Sequence, residues 1–273
     1  MTSETAPPPF AAFLTRWGLT PDGPARRTPG SDLLPVRWQG RTAMLKLART
    51  AEEAAGHRLM VWWAGQGAAR VYAHAGPALL MERLEGEGTL AAMALGGQDS
   101  AATRVLCRAA VAVHAAGHGP WPALPDLRRW FRALGEAAGH GAEFAALWGV
   151  AQRCLAEQRD VRPLHGDLHH GNVLHSAERD WVLIDPKGLI GDPAFEYANL
   201  LCNPTLAHAL TPGRLEAQLA VIAQESGLDA VRLARWAAAY AGLSAAWHLE
   251  DGQPHEAALT LRVAHAANLA LGR

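Results

Sequence analysis

The chain has 273 residues, of which 49% are hydrophobic and 19% charged, and its formal net charge is −1 at pH 7. This apolar content is sufficient for a core in one large domain or two lobes, so the composition excludes a disordered chain. The near-neutral charge and the scattered arginines exclude the basic surface on which nucleic-acid binding depends.

Cysteine usage and the N-terminal sequence both indicate a reducing compartment. Cys107, Cys154 and Cys202 form no Cys-x-x-Cys pair, which argues against a disulfide framework or a zinc knuckle. The first residues have neither the basic nor the apolar region of a secretory signal, and the alanine-rich stretches are interrupted before they reach membrane length. We therefore expect a cytoplasmic protein with no membrane partner.

The first third of the chain is predicted to contain mostly strands. The predicted elements are a short amphipathic piece at 10–17, strands at 33–38 and 43–47 joined by a hairpin turn at 39–41, a helix at 51–63, and strands at 68–73 and 78–84. Period-2 alternation in the second of these strands places Lys46 on the same face as Met44 and Ala48. Lys46 is therefore expected to point into whatever that face covers.

The rest of the chain has a mainly helical pattern. Apolar residues recur at helical spacing at 100–116, 127–138 and 143–156 and from Thr211 to near Gly272, and short apolar runs lie at 173–174 and 181–184. The change of pattern near Glu85–Gly88 predicts the boundary between a strand-rich lobe and a helical lobe.

Lysine is rare in this chain. Of the 25 lysines and arginines, only Lys46 and Lys187 are lysines. An ammonium group is a compact point charge that can sit beside a phosphate, whereas a guanidinium is a broad planar fork. Both lysines are therefore candidates for phosphate binding, with a surface position as the alternative for each.

The residues that carry chemistry are concentrated between 165 and 188. Asp167 and Asn172 lie in the segment His-Gly-Asp-Leu-His-His-Gly-Asn at 165–172, and Asp185 follows the apolar run at 181–184. Phosphoryl transfer requires a carboxylate to receive the acceptor proton and oxygen ligands for Mg²⁺. Asp167 fits the first role, and Asn172 with Asp185 fits the second.

These residues closely resemble a known motif. His-Gly-Asp-Leu-His-x-Gly-Asn, followed by Ile-Asp-Pro-Lys-Gly at 184–188, is similar to the aminoglycoside phosphotransferases, which are distant relatives of the protein kinases. The Asp-Pro-Lys-Gly variant is similar to the streptomycin 6-kinase and hydroxyurea phosphotransferase branch. Segments at 28–36, 43–46 and 79–84 occur in the order of that branch, so the resemblance covers roughly residues 25–205.

The resemblance implies an α+β, two-lobed protein-kinase-like fold. A small, β-rich N-lobe at residues 1–85 would bind ATP, and a larger, mostly helical C-lobe at residues 86–273 would carry the catalytic residues and the acceptor. Asp167 is implied as the catalytic residue, and Asn172 and Asp185 as the ligands of Mg²⁺.

The resemblance also implies a set of nucleotide-binding residues. Lys46 would hold the α- and β-phosphates and pair with a helix carboxylate, either Glu53, which we prefer, or Glu52. The loop at 28–31, ending at Ser31, would lie over the phosphates. The adenine would bond to backbone groups from Glu82 to Leu84.

Two residues of the later segments have less specific roles. An acidic residue at the position of Glu196 is implied to steady the catalytic loop through its backbone. Lys187 would either neutralise the charge of the transferred phosphate or pair with a nearby carboxylate. Sequence spacing favours neither of these roles.

Two other classes of function compete with the kinase interpretation. A transition-metal hydrolase would use the cluster His165, Asp167, His169 and His170, since histidine is a common Zn²⁺ ligand. That interpretation leaves Asn172, Asp185 and Lys46 without a role. A non-catalytic nucleotide-binding module would lack at least one of the kinase residues, and all of them are present.

The acceptor is expected to be a small molecule that carries a hydroxyl group. A streptomycin-like aminoglycoside is the first choice, and hydroxyurea or another small metabolite alcohol is the alternative. Glu250 and Asp251, near the end of a predicted helix at 233–249, are interpreted first as a solvated helix end. Their alternative role is to receive the amino or guanidino groups of a cationic acceptor.

Overall fold

The N-terminal part of the protein is an antiparallel sheet with two helices. The computed structural model describes residues 9–84 and 89–270. The sheet order is β1-β3-β4-β6-β5, and β2 also pairs with β3. The elements are α1 (Ala11–Trp17), β1 (Thr20–Pro21), β2 (Arg26–Arg27), β3 (Ser31–Trp38), β4 (Arg41–Ala48), α2 (Ala51–Trp63), β5 (Val71–Ala75) and β6 (Ala78–Glu82).

The two faces of β4 have different surroundings, as its alternation predicts. Leu45 and Leu47 are buried in a small core with Phe10 and Leu34, on the side of the sheet covered by α1. Lys46 faces the other side, where it is only 6% exposed. The hairpin between β3 and β4 and the helix α2 are confirmed at or near their predicted bounds.

Helix α2 begins where its sequence predicts. The Thr50 side chain accepts a hydrogen bond from the Glu53 amide (3.2 Å), and Glu52 and Glu53 occupy the first turn, where the helix dipole favours negative charge. The strand predicted at 68–73 is displaced to β5, because Ala68 and Ala69 pair with Leu183 of the C-terminal part instead. The chain thus joins the two parts of the fold just before β5.

The C-terminal part is mostly helical and encloses two small, two-stranded antiparallel sheets. Its helices are α3 (Leu90–Met93), α4 (Asp99–His114), α5 (Leu127–Trp130), α6 (Arg132–Ala137), α7 (Ala142–Ala156), α8 (Leu206–Ala209), α9 (Arg214–Ser226), α10 (Ala230–Glu250) and α11 (Pro254–Ala270). A π-helical turn (Ala94–Gln98) joins α3 to α4. One sheet pairs β7 (Arg162–Leu164) with β10 (Leu189–Gly191), and the other is the hairpin of β8 (Val173–Ser176) and β9 (Asp180–Leu183).

Most of the helical predictions are confirmed, with one difference. The helix predicted at 127–138 is broken at Phe131, which separates α5 from α6. Phe131 is fully buried and its ring packs against Phe195 (5.7 Å) and Trp236 (5.9 Å). Burying this ring in the core outweighs the local helical pattern.

Two predictions for the whole chain concern, first, the boundary between its lobes and, second, membrane-spanning helices. Residues 85–88, where the lobe boundary is predicted, lie outside the described residues, so the division into 1–85 and 86–273 stays a prediction. None of the described helices is both long enough and apolar enough to cross a bilayer.

Candidate active site

The segment 165–172 leaves β7 and is held by a buried carboxylate. Glu196 lies in a 3₁₀ turn (Pro193–Tyr197) and accepts hydrogen bonds from the backbone amides of His165 (2.7 Å) and Gly166 (2.8 Å). It also contacts Nε2 of His114 (3.1 Å). Burial raises the pKa of Glu196, but these bonds outweigh it, so its pKa lies below the usual range. Glu196 steadies the loop through its backbone, as the resemblance implies.

Both ring nitrogens of His165 are used inside the protein. Its Nδ1 accepts from the Asp167 amide (3.1 Å), so its Nε2 carries the proton and donates to the Ile184 carbonyl (2.8 Å). The ring therefore ties the loop to the end of β9 and is not available as a metal ligand. Among the residues that the structure describes, no three His, Cys, Asp or Glu side chains converge as a metal site. The hydrolase interpretation thus has no geometric support.

Asp167 is oriented by two side-chain amides. Its Oδ1 accepts from Nδ2 of Asn199 (2.7 Å), and its Oδ2 accepts from Nδ2 of Asn172 (3.3 Å). Asn199 is itself fixed, because Nδ2 of Asn203 donates to its Oδ1 (2.9 Å). The Asp167 carboxylate thus has a fixed plane while a quarter of the side chain stays exposed.

The sequence motifs do not predict the roles of Asn199 and Asn203. They lie beyond the Gly-Asp-Pro segment, 32 and 36 residues after Asp167, and belong to no motif that we recognised. Two asparagines four residues apart in an otherwise apolar stretch, Leu200–Cys202 between them, are the one signal that could have drawn attention to them.

The β8–β9 hairpin brings Asn172 and Asp185 together. Asn172 precedes β8 and Asp185 follows β9, and the Ile184 amide donates to the Asn172 carbonyl (2.9 Å). The Asn172 side-chain nitrogen is directed at Asp167, which leaves its Oδ1 without a hydrogen bond from the described residues. Two side chains that carry oxygen atoms are thereby placed on neighbouring positions, and their role as Mg²⁺ ligands stays a prediction.

Lys46 pairs with Glu53 and not with Glu52. Its Nζ lies 2.5 Å from Oε2 of Glu53 and also contacts Oδ1 of Asp185. Burial favours a raised pKa for Glu53, but the charge of Lys46 and its hydrogen bonds lower the pKa to about 2. The carboxylate of Glu53 is therefore ionised at neutral pH.

Ser31 and Lys187 both contact the same glutamate. The Ser31 hydroxyl donates to Glu53 (2.7 Å), so this buried side chain supports the ion pair instead of facing open space. Lys187 lies 3.1 Å from Glu52 and 3.6 Å from Glu53. Burial would lower the pKa of Lys187, but the charges of Asp167 and Glu52 raise it above its usual value.

Helix α2 and the Pro186–Gly188 loop touch through their backbones. A Cβ atom on Gly56 would lie 1.9 Å from the Pro186 carbonyl oxygen, and one on Gly188 would lie 2.9 Å from the Ala55 carbonyl oxygen. Gly188 also has a φ of +70°, in the left-handed region that favours glycine. The two glycines allow the helix that carries Glu53 to contact the loop that follows Asp185.

Two cavities meet at this cluster. The first, of about 190 Å³, is mainly apolar, is lined by Leu33, Met44, Met81 and Leu174 among others, and includes Lys46, Asp185, Glu82 and Leu84. The Glu82 carboxylate is engaged elsewhere, since it accepts from the Arg70 amide (3.1 Å) and contacts Arg179. This leaves the backbone at this edge to face the cavity.

The second cavity is larger and more polar. It measures about 760 Å³ and has Asp167 and Lys187 in its wall. Glu250 and Asp251 lie in the same wall, together with Trp130, Tyr240 and Trp247 of the helical part. The carboxylates that the sequence suggested as a solvated helix end are thus part of the cleft that contains Asp167.

The fold and the site define the class of the protein. A sheet lysine paired with a glutamate of the adjoining helix α2, packed on a helical part that carries Asp167, Asn172 and Asp185, is typical of a protein-kinase-like phosphotransferase. A solved aminoglycoside phosphotransferase in complex with ADP and hygromycin B has this fold, with a TM-score of 0.65, 17% identity and coverage of 94% of this chain and 96% of that chain. The predicted two-lobed fold is confirmed.

Sequence comparison gives the family. A family model described as aminoglycoside/hydroxyurea antibiotic resistance kinase matches residues 16–252. The streptomycin 3''-kinase of Klebsiella pneumoniae is 49% identical over 244 residues, which cover 88% of this chain and 92% of that protein. The chain therefore belongs to the aminoglycoside/hydroxyurea antibiotic resistance kinase family, as its motifs predict.

Two further relatives are more distant. The hydroxyurea phosphotransferase of Kitasatospora aureofaciens is 34% identical, with 99% of this chain and 80% of that protein covered. The streptomycin 6-kinase of Streptomyces glaucescens is 32% identical, with coverage of 88% and 82%.

Proposed function

We propose that the protein transfers the γ-phosphoryl group of ATP to a hydroxyl of a streptomycin-type aminoglycoside in the cytoplasm. The observation that carries this proposal is the position of Asp167. It lies in the wall of the large polar cleft, while Lys46 and Asp185 line the adjoining apolar cavity. An acceptor in the polar cleft and a nucleotide in the apolar cavity would meet at this carboxylate.

The nucleotide is assigned to the apolar cavity. Its base would lie among the apolar side chains, against the backbone from Glu82 to Leu84, and Lys46 would hold the α- and β-phosphates. Glu53 fixes the direction of the Lys46 ammonium, and Ser31 acts through Glu53. We assign these functions to a nucleotide-binding lobe at 1–85 and the catalytic functions to 86–273.

Asn172 and Asp185 are assigned as the magnesium ligands. The free Oδ1 of Asn172 and the half-exposed carboxylate of Asp185 are hard oxygen donors on adjacent positions, which suits Mg²⁺. When bound, the ion would neutralise charge on the phosphates of ATP. In the structure Asp185 pairs with Lys46, which would contact phosphate instead once the nucleotide is bound.

Asp167 is assigned as the residue that orients the acceptor hydroxyl and accepts its proton. Asn199 and Asn172 hold the carboxylate so that its exposed edge faces the cleft. Lys187 lies in the same wall, and the raised pKa keeps its ammonium charged. We assign to Lys187 the role of neutralising the charge that develops on the transferred phosphoryl group.

The size of the cleft favours a large acceptor over a small one. Its volume of about 760 Å³ lies in the range of sites for drug-sized ligands. Arg58, Arg129 and Arg132 also lie in the wall, so the negative charge is local to the end of α10, at Glu250 and Asp251. Streptomycin carries guanidino groups that match these carboxylates, and the 49% identical relative is named as a streptomycin kinase. Hydroxyurea, the substrate named for a 34% identical relative, is neutral and would fill little of the cleft.

An ATP-consumption assay tests this function. Purified protein with Mg²⁺ and ATP should release ADP in the presence of streptomycin, and mass spectrometry should detect a singly phosphorylated product. The same assay with hygromycin B, hydroxyurea and no acceptor supplies the comparison. Release of ADP with hydroxyurea alone would contradict the proposed acceptor, and equal release in every sample would contradict transfer.

A further inference from the structure

A tyrosine hydroxyl faces the proposed acceptor cleft without a partner. Tyr240 lies on α10, is 7% exposed, and lines the same cleft as Asp167. Its ring packs edge-to-face against Phe195 (5.9 Å) and Trp247 (6.4 Å). None of the described residues makes a hydrogen bond to its hydroxyl.

The hydroxyl does not belong to the fully buried polar atoms that lack a partner, so it is open to the contents of the cleft. A tyrosine hydroxyl in such a position pairs with water or with a ligand. None of the described side chains competes with a ligand for it. Burial raises the pKa of Tyr240, and the charge of Asp167 raises it further, so the phenol keeps its proton and can donate. The contents of the cleft are the available acceptor of that hydrogen bond.

Helix α10 also sets a direction along the cleft. Tyr240, Trp247 and Glu250 all line it, and seven residues, about two turns, separate the first two. The helix rises about 15 Å from Tyr240 to Glu250, at roughly 1.5 Å per residue. Between the ends, Trp247 packs against Trp130 (5.3 Å) and forms an aromatic wall. The cleft thus has a hydroxyl beside Asp167 at one end and carboxylates at the other.

We propose that Tyr240 is an acceptor-binding residue, whose hydroxyl donates a hydrogen bond to the acceptor ring that carries the reacting hydroxyl. The acceptor then lies along α10, with its cationic groups at Glu250 and Asp251. This inference rests on the proposed function and specifies how the acceptor lies in the cleft.

The orientation selects among the hydroxyls of streptomycin. The guanidino groups of streptomycin are on a ring at one end of the molecule, and the 3''-hydroxyl is on the ring at the other end. The 6-hydroxyl is on the guanidino ring itself. With the guanidino ring near Glu250, the 3''-hydroxyl is the one that reaches Asp167.

Replacing Tyr240 by phenylalanine tests the contact, because the ring and its packing are kept. We expect Tyr240→Phe to raise the KM for streptomycin about tenfold, the effect of one lost hydrogen bond. The KM for ATP and the melting temperature should stay within error of the wild type. The matched control is Tyr72→Phe, since Tyr72 stacks on Trp38 in the N-terminal sheet, away from the cleft. NMR of the wild-type product should place the phosphate on the 3'' oxygen.

Three results would overturn the inference. An unchanged KM for streptomycin in Tyr240→Phe would show that the hydroxyl does not contact the acceptor. Parallel changes in both KM values with a lowered melting temperature would show that Tyr240 acts only in packing. Phosphate on the 6 oxygen would show that the acceptor does not lie in the proposed orientation. If the wild type does not turn over streptomycin, the proposed function fails first, and that failure is seen before any variant is compared.

Discussion

Asp167 depends on amides that come from different parts of the chain. Asn172 belongs to the same loop, whereas Asn199 is 32 residues away and is fixed in turn by Asn203. A carboxylate held by two amide donors keeps one orientation, and a proton acceptor that is misplaced by a fraction of an ångström loses much of its effect. Asn199 is therefore expected to matter for the rate and not for nucleotide binding.

Removing the Asn199 amide tests this. Asn199→Ala should lower kcat about 10- to 100-fold, because Asp167 loses its stronger hydrogen bond and its fixed plane. Steady-state kinetics should show little change in the KM for ATP. Asn268→Ala, a half-buried asparagine on α11, is the control and should leave kcat unchanged. A wild-type kcat in Asn199→Ala would show that Asp167 does not need this support.

The adjacent glutamates allow a matched comparison. Glu53 is nearly buried and bonded to Lys46, whereas Glu52 has a 42% exposed side chain and pairs with Lys187. Glu53→Gln should raise the KM for ATP or lower kcat by about tenfold, since a partner of a buried charge is lost. Glu52→Gln should change either value by less than about threefold, as expected for an exposed pair. Equal effects in the kinetic assay would contradict the assignment of Glu53.

At the scale of elements, the contact between α2 and the Pro186–Gly188 loop connects the Lys46–Glu53 pair to the segment that follows Asp185. Glu53 on the helix directs Lys46, and Asp185 directly precedes the loop. Because Gly56 and Gly188 bring the two backbones together, a shift of one would displace the other. Glycine is therefore required at position 56, in the middle of a helix, because a larger residue would not fit against the loop.

A methyl group at position 56 should separate these elements. Gly56→Ala should destabilise the protein by about 1–3 kcal/mol and lower kcat, because its Cβ would overlap the Pro186 carbonyl. Gly149→Ala, in the interior of α7, is the control, since the nearest atom to its Cβ would be Nη1 of Arg153 at 3.8 Å, and it should stabilise by about 0.5–1 kcal/mol. Urea unfolding monitored by tryptophan fluorescence measures both. Stabilisation by Gly56→Ala would show that the loop moves aside without cost.

At the scale of the whole molecule, two buried histidines couple stability to pH. His57 on α2 and His170 in the catalytic segment are each 2% exposed, and their ring nitrogens find no partner among the described residues. Burial, with smaller effects from Lys46 and Arg214, lowers the pKa of each to about 4. Between the ordinary pKa of about 6.5 and 4, the unfolded chain binds protons that the folded protein does not.

Stability should therefore fall as the pH is lowered from about 6.5 towards 4. The urea midpoint of the wild type should decrease over this interval, and His170→Gln should make the decrease shallower because one of the histidines with a lowered pKa is removed. His255→Gln, at an exposed position on α11, is the control and should leave the slope unchanged. A midpoint that rises with acid would contradict the neutral state of these histidines.

Much of the fold and part of the site follow from local sequence. The β3–β4 hairpin follows from the alternation of its strands, and the start of α2 follows from its cap. Asn172 and Asp185 come close because only the short β8–β9 hairpin separates them in the chain. Such features involve residues near each other in sequence, so pattern and motif are enough to predict them. The shift of β5 was missed, because Ala68 and Ala69 pair with a strand more than a hundred residues later.

The sequence by itself determined the family and the face of β4 from which Lys46 projects, and it predicted the segment at 165–172 as the catalytic one. Only the tertiary structure decided that Glu53 and not Glu52 meets Lys46, that Asn199 supports Asp167, and that Tyr240 and Glu250 share the cleft with it. The physical reason is that these contacts join side chains on separate elements; Lys46 and Asp185, for example, are 139 residues apart. The packing of those elements, and not any local pattern, sets which atoms face each other.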